Sequence, residues 1–123
     1  MREPFNKINL RSKRGFKIAD HIRKTVSKIV RVKVRDPRVN IVTITDVEIT
    51  YDISIAKVFY SVYPWSENNL KGANAGLNSA KKFIRMQLAK ELTCHRVPEL
   101  TFKLDTSLDH GDRINELITK VSE

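Results

Sequence analysis

Apolar residues recur along the first third of the chain at the spacing of a helix. Over residues 16–34 the apolar positions include Ile18, Ile22, Val26, Ile29 and Val30, steps of four and three that turn one side toward a core. On the other side Lys17, His21, Lys24, Lys28, Arg31 and Arg35 recur at similar steps, so this face carries a row of cations. Asp36-Pro37 predicts the end of the helix, because the residue before a proline is disfavoured in helical geometry.

The period then changes. Residues 41–50, IVTITDVEIT, are β-branched and partly alternating, which predicts a strand. The alternation slips between Ile44 and Val47, which predicts a bulge near Thr45-Asp46. Tyr51-Asp52 reads as a short turn, and residues 54–63 as a second strand with Ala56, Val58, Tyr60 and Val62 on one face. So short a link makes the pair an antiparallel hairpin.

Pro64 closes that strand and Ser66 stands where a helix needs a cap. Leu70, Ala73, Leu77, Ala80 or Lys81, Ile84 and Leu88 follow helical steps, although Gly72 and Gly76 weaken the first half. Ser79 is placed to end one helix and cap the next. The expectation is two helices with a kink over residues 79–82, marked by Ser79 and Ala80. Pro98 precedes a third strand, residues 99–105, whose Leu100, Phe102 and Leu104 face one way. Leu108, Ile114, Leu117, Ile118 and Val121 predict a helical tail.

The order is α-β-β-α-kink-α-β with a C-terminal helical tail. Strands two and three are joined through helices, which permits parallel pairing beside the hairpin. These elements predict a two-layer α+β domain with helices on one face of a three-stranded mixed sheet. Residues 1–14 are basic, without period, and read as a flexible arm; residues 15–105 form the domain and 106–123 the tail. The length of 123 residues calls for no second domain.

Charge sharpens the picture through its placement. The formal net charge is +9. Residues 1–35 hold twelve Lys or Arg against Glu3 and Asp20, whereas the rest of the chain has eleven basic and twelve acidic residues. The entire excess lies in the first third, which points to a polyanionic partner: RNA, DNA or an anionic membrane. A second basic group is Lys81, Lys82 and Arg85 at the expected kink, with Lys90 and Arg96 nearby. Arg85 has a structural reading too, as a tie from the helix to a carboxylate such as Asp52. Asp36-Pro37-Arg38 reads as a turn, and Asp52 and Asp105 as holders of turns and buried polar pairs.

Little supports catalysis or a cofactor. His21, His95 and His110 are scattered, and none has metal-ligand spacing with Cys94. No Gly-rich phosphate loop or nucleophile elbow occurs. Asp105, Asp109, His110 and Asp112 cluster in sequence, but residues 105–123 carry five acids against two bases, which repels RNA. The reading is a non-enzyme without metal, cofactor or small-molecule substrate. One cysteine allows no internal disulfide and fits the cytoplasm. No stretch approaches the roughly 18 apolar residues of a membrane span. Three other classes stay open at this stage: a general RNA-binding module or RNA chaperone, a metal-dependent hydrolase using the acidic cluster, and a membrane-surface protein lying on its basic helix.

The element order is similar to the type II KH domain, a fold used for single-stranded nucleic acid. Shorter pieces bring the chain closer to one family. They are Lys17-Ile18-Ala19 with Ile22, Asp36-Pro37-Arg38, the run Val42-Thr43-Ile44-Thr45-Asp46-Val47-Glu48 with Asp52, and Ala56-Lys57-Val58. Phe83-Ile84-Arg85, Arg96-Val97-Pro98-Glu99-Leu100-Thr101-Phe102, Asp105 with Ser107, and Gly111 with Arg113-Ile114 continue the series. In order and spacing these resemble ribosome-binding factor A of bacteria over roughly residues 11–118. The resemblance implies a non-catalytic assembly factor that binds the free small (30S) ribosomal subunit and its rRNA during late maturation and rRNA processing, and matters most in the cold; the expectation is a cytoplasmic protein that binds as a monomer. It also implies an Ala-x-Gly kink where many KH domains have a GxxG loop. Here Ala80-Lys81-Lys82 keeps the alanine without the glycine, and Lys82 is expected to substitute a phosphate contact of its own. The expected RNA-contacting residues are Arg11, Arg14, Lys17, Lys24, Lys28, Arg31, Arg35, Lys81, Lys82 and Arg85.

Overall fold

The computed structural model describes residues 13–92 and 96–106, with side chains from residue 17 onward. The first helix, α1 (Lys13–Val32), lays Ile18, Ala19, Ile22, Val26, Ile29 and Val30 into the core. It begins before the expected position and stops short of it, at Val32 rather than Val34. Its last turn closes through Lys33 N–H and Val34 N–H, both donating to Ile29 O (2.8 and 3.1 Å). Asp36 is extended, as its proline neighbour requires, and its carboxylate accepts from Arg38 N–H (3.0 Å) to cap a 3-10 turn, Pro37–Val39.

Strand β1 (Val42–Ile49) pairs antiparallel with β2 (Ile55–Val62), and β2 pairs parallel with β3 (Glu99–Leu104), giving the order β1-β2-β3. The register slips between Ile44 and Asp46, at the expected bulge. The slip frees Thr45, whose hydroxyl donates to Asp105 Oδ2 at 2.6 Å. Asp105 is buried just past β3, and its own N–H donates to Tyr60 O (2.8 Å). One carboxylate therefore ties the bulge to the end of the third strand.

The β1–β2 turn is built on Asp52. Its Oδ1 accepts from Thr50 Oγ1 (2.9 Å), Ser54 N–H (3.1 Å) and Ser54 Oγ (2.6 Å). Those bonds, first among them that from the Ser54 hydroxyl, draw the Asp52 carboxyl down to about 2. The same network holds Ile53 at φ 60, a left-handed conformation that a β-branched side chain adopts only when its surroundings impose it.

Ser66 caps α2 (Glu67–Glu91) by accepting from Asn69 N–H at 2.9 Å. This helix is a single element of 25 residues, which overturns the expected division at Ser79 and Ala80. Lys81 and Lys82 take ordinary helical geometry and no glycine interrupts them. Leu77, Ile84 and Leu88, all fully buried, pack both halves against the core. Tertiary packing outweighs the weak propensity of Gly72, Gly76 and Ser79.

Gly76 is a contact site rather than a flaw. A Cβ there would sit 2.9 Å from Val39 Cγ1 and 3.3 Å from Arg38 Cβ, so α2 meets the Asp36-Pro37-Arg38 turn at a distance only glycine allows. Tyr60 spans from sheet to helix, its hydroxyl donating to Asn74 Oδ1 (3.3 Å), and burial pushes its phenol up to about 12. Both helices thus cover one sheet face, sharing a core with Ala56, Val58, Tyr60, Val62, Leu100 and Phe102. The expected tail helix lies outside the described residues.

Candidate nucleic-acid interface

Because the apolar side of α1 is fixed in the core, its opposite side must face solvent. Lys17, His21, Lys24, Lys28 and Arg31 are all exposed there, and exposed Arg35 follows just beyond the helix end. At a rise of about 1.5 Å per residue, Lys17 to Arg31 spans about 21 Å. Lys17, Lys28, Arg31 and Arg35 make no ion pair with any carboxylate among the described residues.

Asp20 is the one acid on the helix. It accepts from Arg23 Nη2 (2.8 Å) and pairs with Lys24 Nζ (3.2 Å), and these two, Arg23 first, hold its carboxyl below the ordinary range. Lys24 remains open to solvent, so its pairing is the weak surface kind that a phosphate can displace. Arg14 lies within α1, and Arg11 falls outside the described residues.

The second basic group divides. Lys82, Lys90 and Arg96 are exposed, and Lys81 is half-buried. Arg85 is occupied: Nε donates to Pro98 O (3.1 Å), Nη2 donates to Val97 O (3.0 Å), and Nη2 lies 3.6 Å from Glu99 Oε1. Its structural partners are carbonyls ahead of β3, and Asp52 is not among them. Arg38 is likewise tied, its Nη2 2.6 Å from Asp36 Oδ2, which keeps Asp36 ionised.

The fold joins what the sequence leaves apart. Lys33, Val34, Arg35 and Asp36, just past the end of α1, line one open depression of about 460 Å³ together with Ser79, Ala80 and Phe83 of α2. Lys33 Nζ also donates to Gln87 Oε1 (3.2 Å), linking the helices directly. Arg35 therefore brings the end of the cationic row to a depression whose other wall is the middle of α2. Sequence reasoning missed Lys33 because it stands out of phase with the cationic row.

Asn40 and Thr43 were missed as well. Asn40 caps the end of the 3-10 turn and Thr43 lies in β1, and folding sets them beside Ser27 and Arg31. Among the described residues no group of three His, Cys, Asp or Glu side chains could hold a metal ion. Most of the acidic cluster considered above, with Cys94 and His95, lies outside them, while Asp105 is engaged with Thr45. No described helix is long and apolar enough to cross a membrane.

Two helices on one face of a β1-β2-β3 mixed sheet, with a cationic helix outward, define a type II KH-like α+β domain. The sequence profile of ribosome-binding factor A matches residues 14–118. The chain belongs to the ribosome-binding factor A family. A relative of that name from Pelobacter propionicus is 39% identical over 111 residues, covering 90% of each chain. The crystal structure of ribosome-binding factor A from Thermus thermophilus superposes with a TM-score of 0.64 at 21% identity, over 72% of this chain and 93% of that one. A homology model of the Thermus thermophilus factor, fitted into the cryo-EM map of a 30S complex, superposes with a TM-score of 0.57 at 22% identity, over 69% of this chain and 88% of that one.

Proposed function

We propose that this protein is a non-catalytic assembly factor that binds the free small ribosomal subunit and its rRNA late in maturation. The observation carrying the proposal is the row of exposed cations on α1, of which Lys17, Lys28 and Arg31, with Arg35 just beyond the helix, have no carboxylate partner among the described residues. Such a row neutralises successive phosphates and releases their counterions, a source of affinity that needs no base recognition. Family membership and the 30S complex of the Thermus thermophilus relative support the small subunit as the partner.

Lys17, Lys24, Lys28, Arg31 and Arg35 form the main contact, with Arg11 and Arg14 extending it. Lys81 and Lys82 add phosphate contacts on α2, and Lys82 replaces the missing glycine in that role. Arg85 contributes charge only, since its guanidinium is committed to Pro98 and Val97. The protein acts as a cytoplasmic monomer without a cofactor, and supports rRNA processing and growth in the cold. Membrane-surface binding is disfavoured because the apolar side of α1 is used in the core.

Gradient sedimentation tests this. The protein should travel with free small subunits and their precursors and much less with translating ribosomes. Its depletion should leave unprocessed small-subunit rRNA and slow growth at low temperature. Even distribution over all RNA-containing fractions would instead make it a general RNA-binding module.

A further inference from the structure

A cavity of about 390 Å³ opens between α1 and the segment running from the 3-10 turn into β1. Its volume falls within the range of small-ligand clefts, about 300–1,000 Å³. Val30 and Val39, both buried, contribute an apolar lining. Ser27, Arg31, Asn40 and Thr43 contribute the polar lining, and no hydrogen bond or ion pair engages these four side chains among the described residues. Arg31 belongs at the same time to the cationic row on α1.

We propose that this cavity receives one unpaired nucleobase of the RNA strand whose phosphates follow the α1 row, an inference that rests on the RNA-binding reading above. The apolar lining suits the face of a flat aromatic ring. The amide of Asn40 offers two donors and an acceptor, and the hydroxyls of Ser27 and Thr43 offer both functions, a set that can match the edge of a base. Arg31 supplies a planar cation able to stack on that base or hold the adjoining phosphate.

A paired base cannot enter, because an A-form duplex keeps its bases stacked and shows their edges only along the grooves. A small anion would answer the single cation but leave the apolar lining uncovered. A strand satisfies both, since its backbone continues along Lys28 and Arg35 while one base turns inward.

The double variant Asn40→Ala/Thr43→Val tests the inference in the full chain. Both positions are exposed, and valine preserves the shape and strand preference of Thr43. Binding is read by fluorescence anisotropy against labelled single-stranded RNA homopolymers and a blunt RNA duplex of similar charge, with thermal melting as the fold control. Wild type should prefer at least one homopolymer over the duplex. The variant should lose about tenfold or more on that homopolymer, with duplex affinity and salt slope unchanged. An unchanged homopolymer affinity in the variant, or equal wild-type affinity for strand and duplex, would overturn the cavity assignment while leaving RNA binding intact. Failure of wild type to bind either RNA would defeat both.

Discussion

The outer face of α1 and the junction of α2 with β3 are both basic, yet Arg85 at the junction and most of the cations on α1 are employed in opposite ways. At the junction Arg85 is held by two backbone carbonyls and faces Glu99 at 3.6 Å. Lys17, Lys28 and Arg31 on α1, and Arg35 just beyond it, have no carboxylate partner among the described residues. Internally satisfied cations hold elements together. A row without such partners among the described residues repels itself, and an external anion offsets that cost. Counting charges along the chain does not separate the two kinds; their partners do.

The comparison can be broken most severely by reversing the free row. Replacing Lys17, Lys28, Arg31 and Arg35 together by Glu should weaken small-subunit binding by at least about 10³-fold, while the melting temperature holds or rises. Gly76→Val attacks the fold instead. Its new Cβ would meet Val39 Cγ1 at 2.9 Å, so about 1–3 kcal/mol of stability should be lost in denaturant titration.

Arg85→Ala, which strands the carbonyls of Val97 and Pro98, should cost about 1–2 kcal/mol of stability. Arg31→Ala should reverse that signature, weakening binding with stability unchanged. Lys82→Gly should cost about 1 kcal/mol of helix stability. It should also flatten the salt dependence of binding by roughly one phosphate contact; an unaltered slope would remove Lys82 from the interface.

The smallest effect concerns pH. The folded carboxyl of Asp52 lies at about 2, below its ordinary value near 3.8. Its contribution is therefore complete above the ordinary value and is lost as pH falls toward 2. Asp52→Asn should flatten acid unfolding in that window, followed by circular dichroism.

Much of the fold was legible along the chain for a physical reason: strand faces and turns are local. The slipped phase near Thr45 marked the bulge, and Ser66 marked the start of α2. The continuity of α2 was not legible, because Gly72, Gly76 and Ser79 look like breakers until Leu77 and Ile84 are seen buried on either side. Likewise the use of Gly76 depends on the turn at Val39, which is distant in sequence. At the interface, the α1 row followed from helical spacing alone. The partners of Arg85 did not, since backbone carbonyls leave no signature in side-chain identity. The grouping of Asn40 and Thr43 with Arg31 is likewise a product of packing.

The most direct measurement is the affinity of the intact protein for isolated small subunits across a series of salt concentrations. A steep fall is expected for wild type, with the log–log slope shrinking by about 0.7 for each cation removed in Lys28→Ala and Arg31→Ala. A shallow wild-type slope, or slopes indifferent to those substitutions, would contradict phosphate neutralisation by α1.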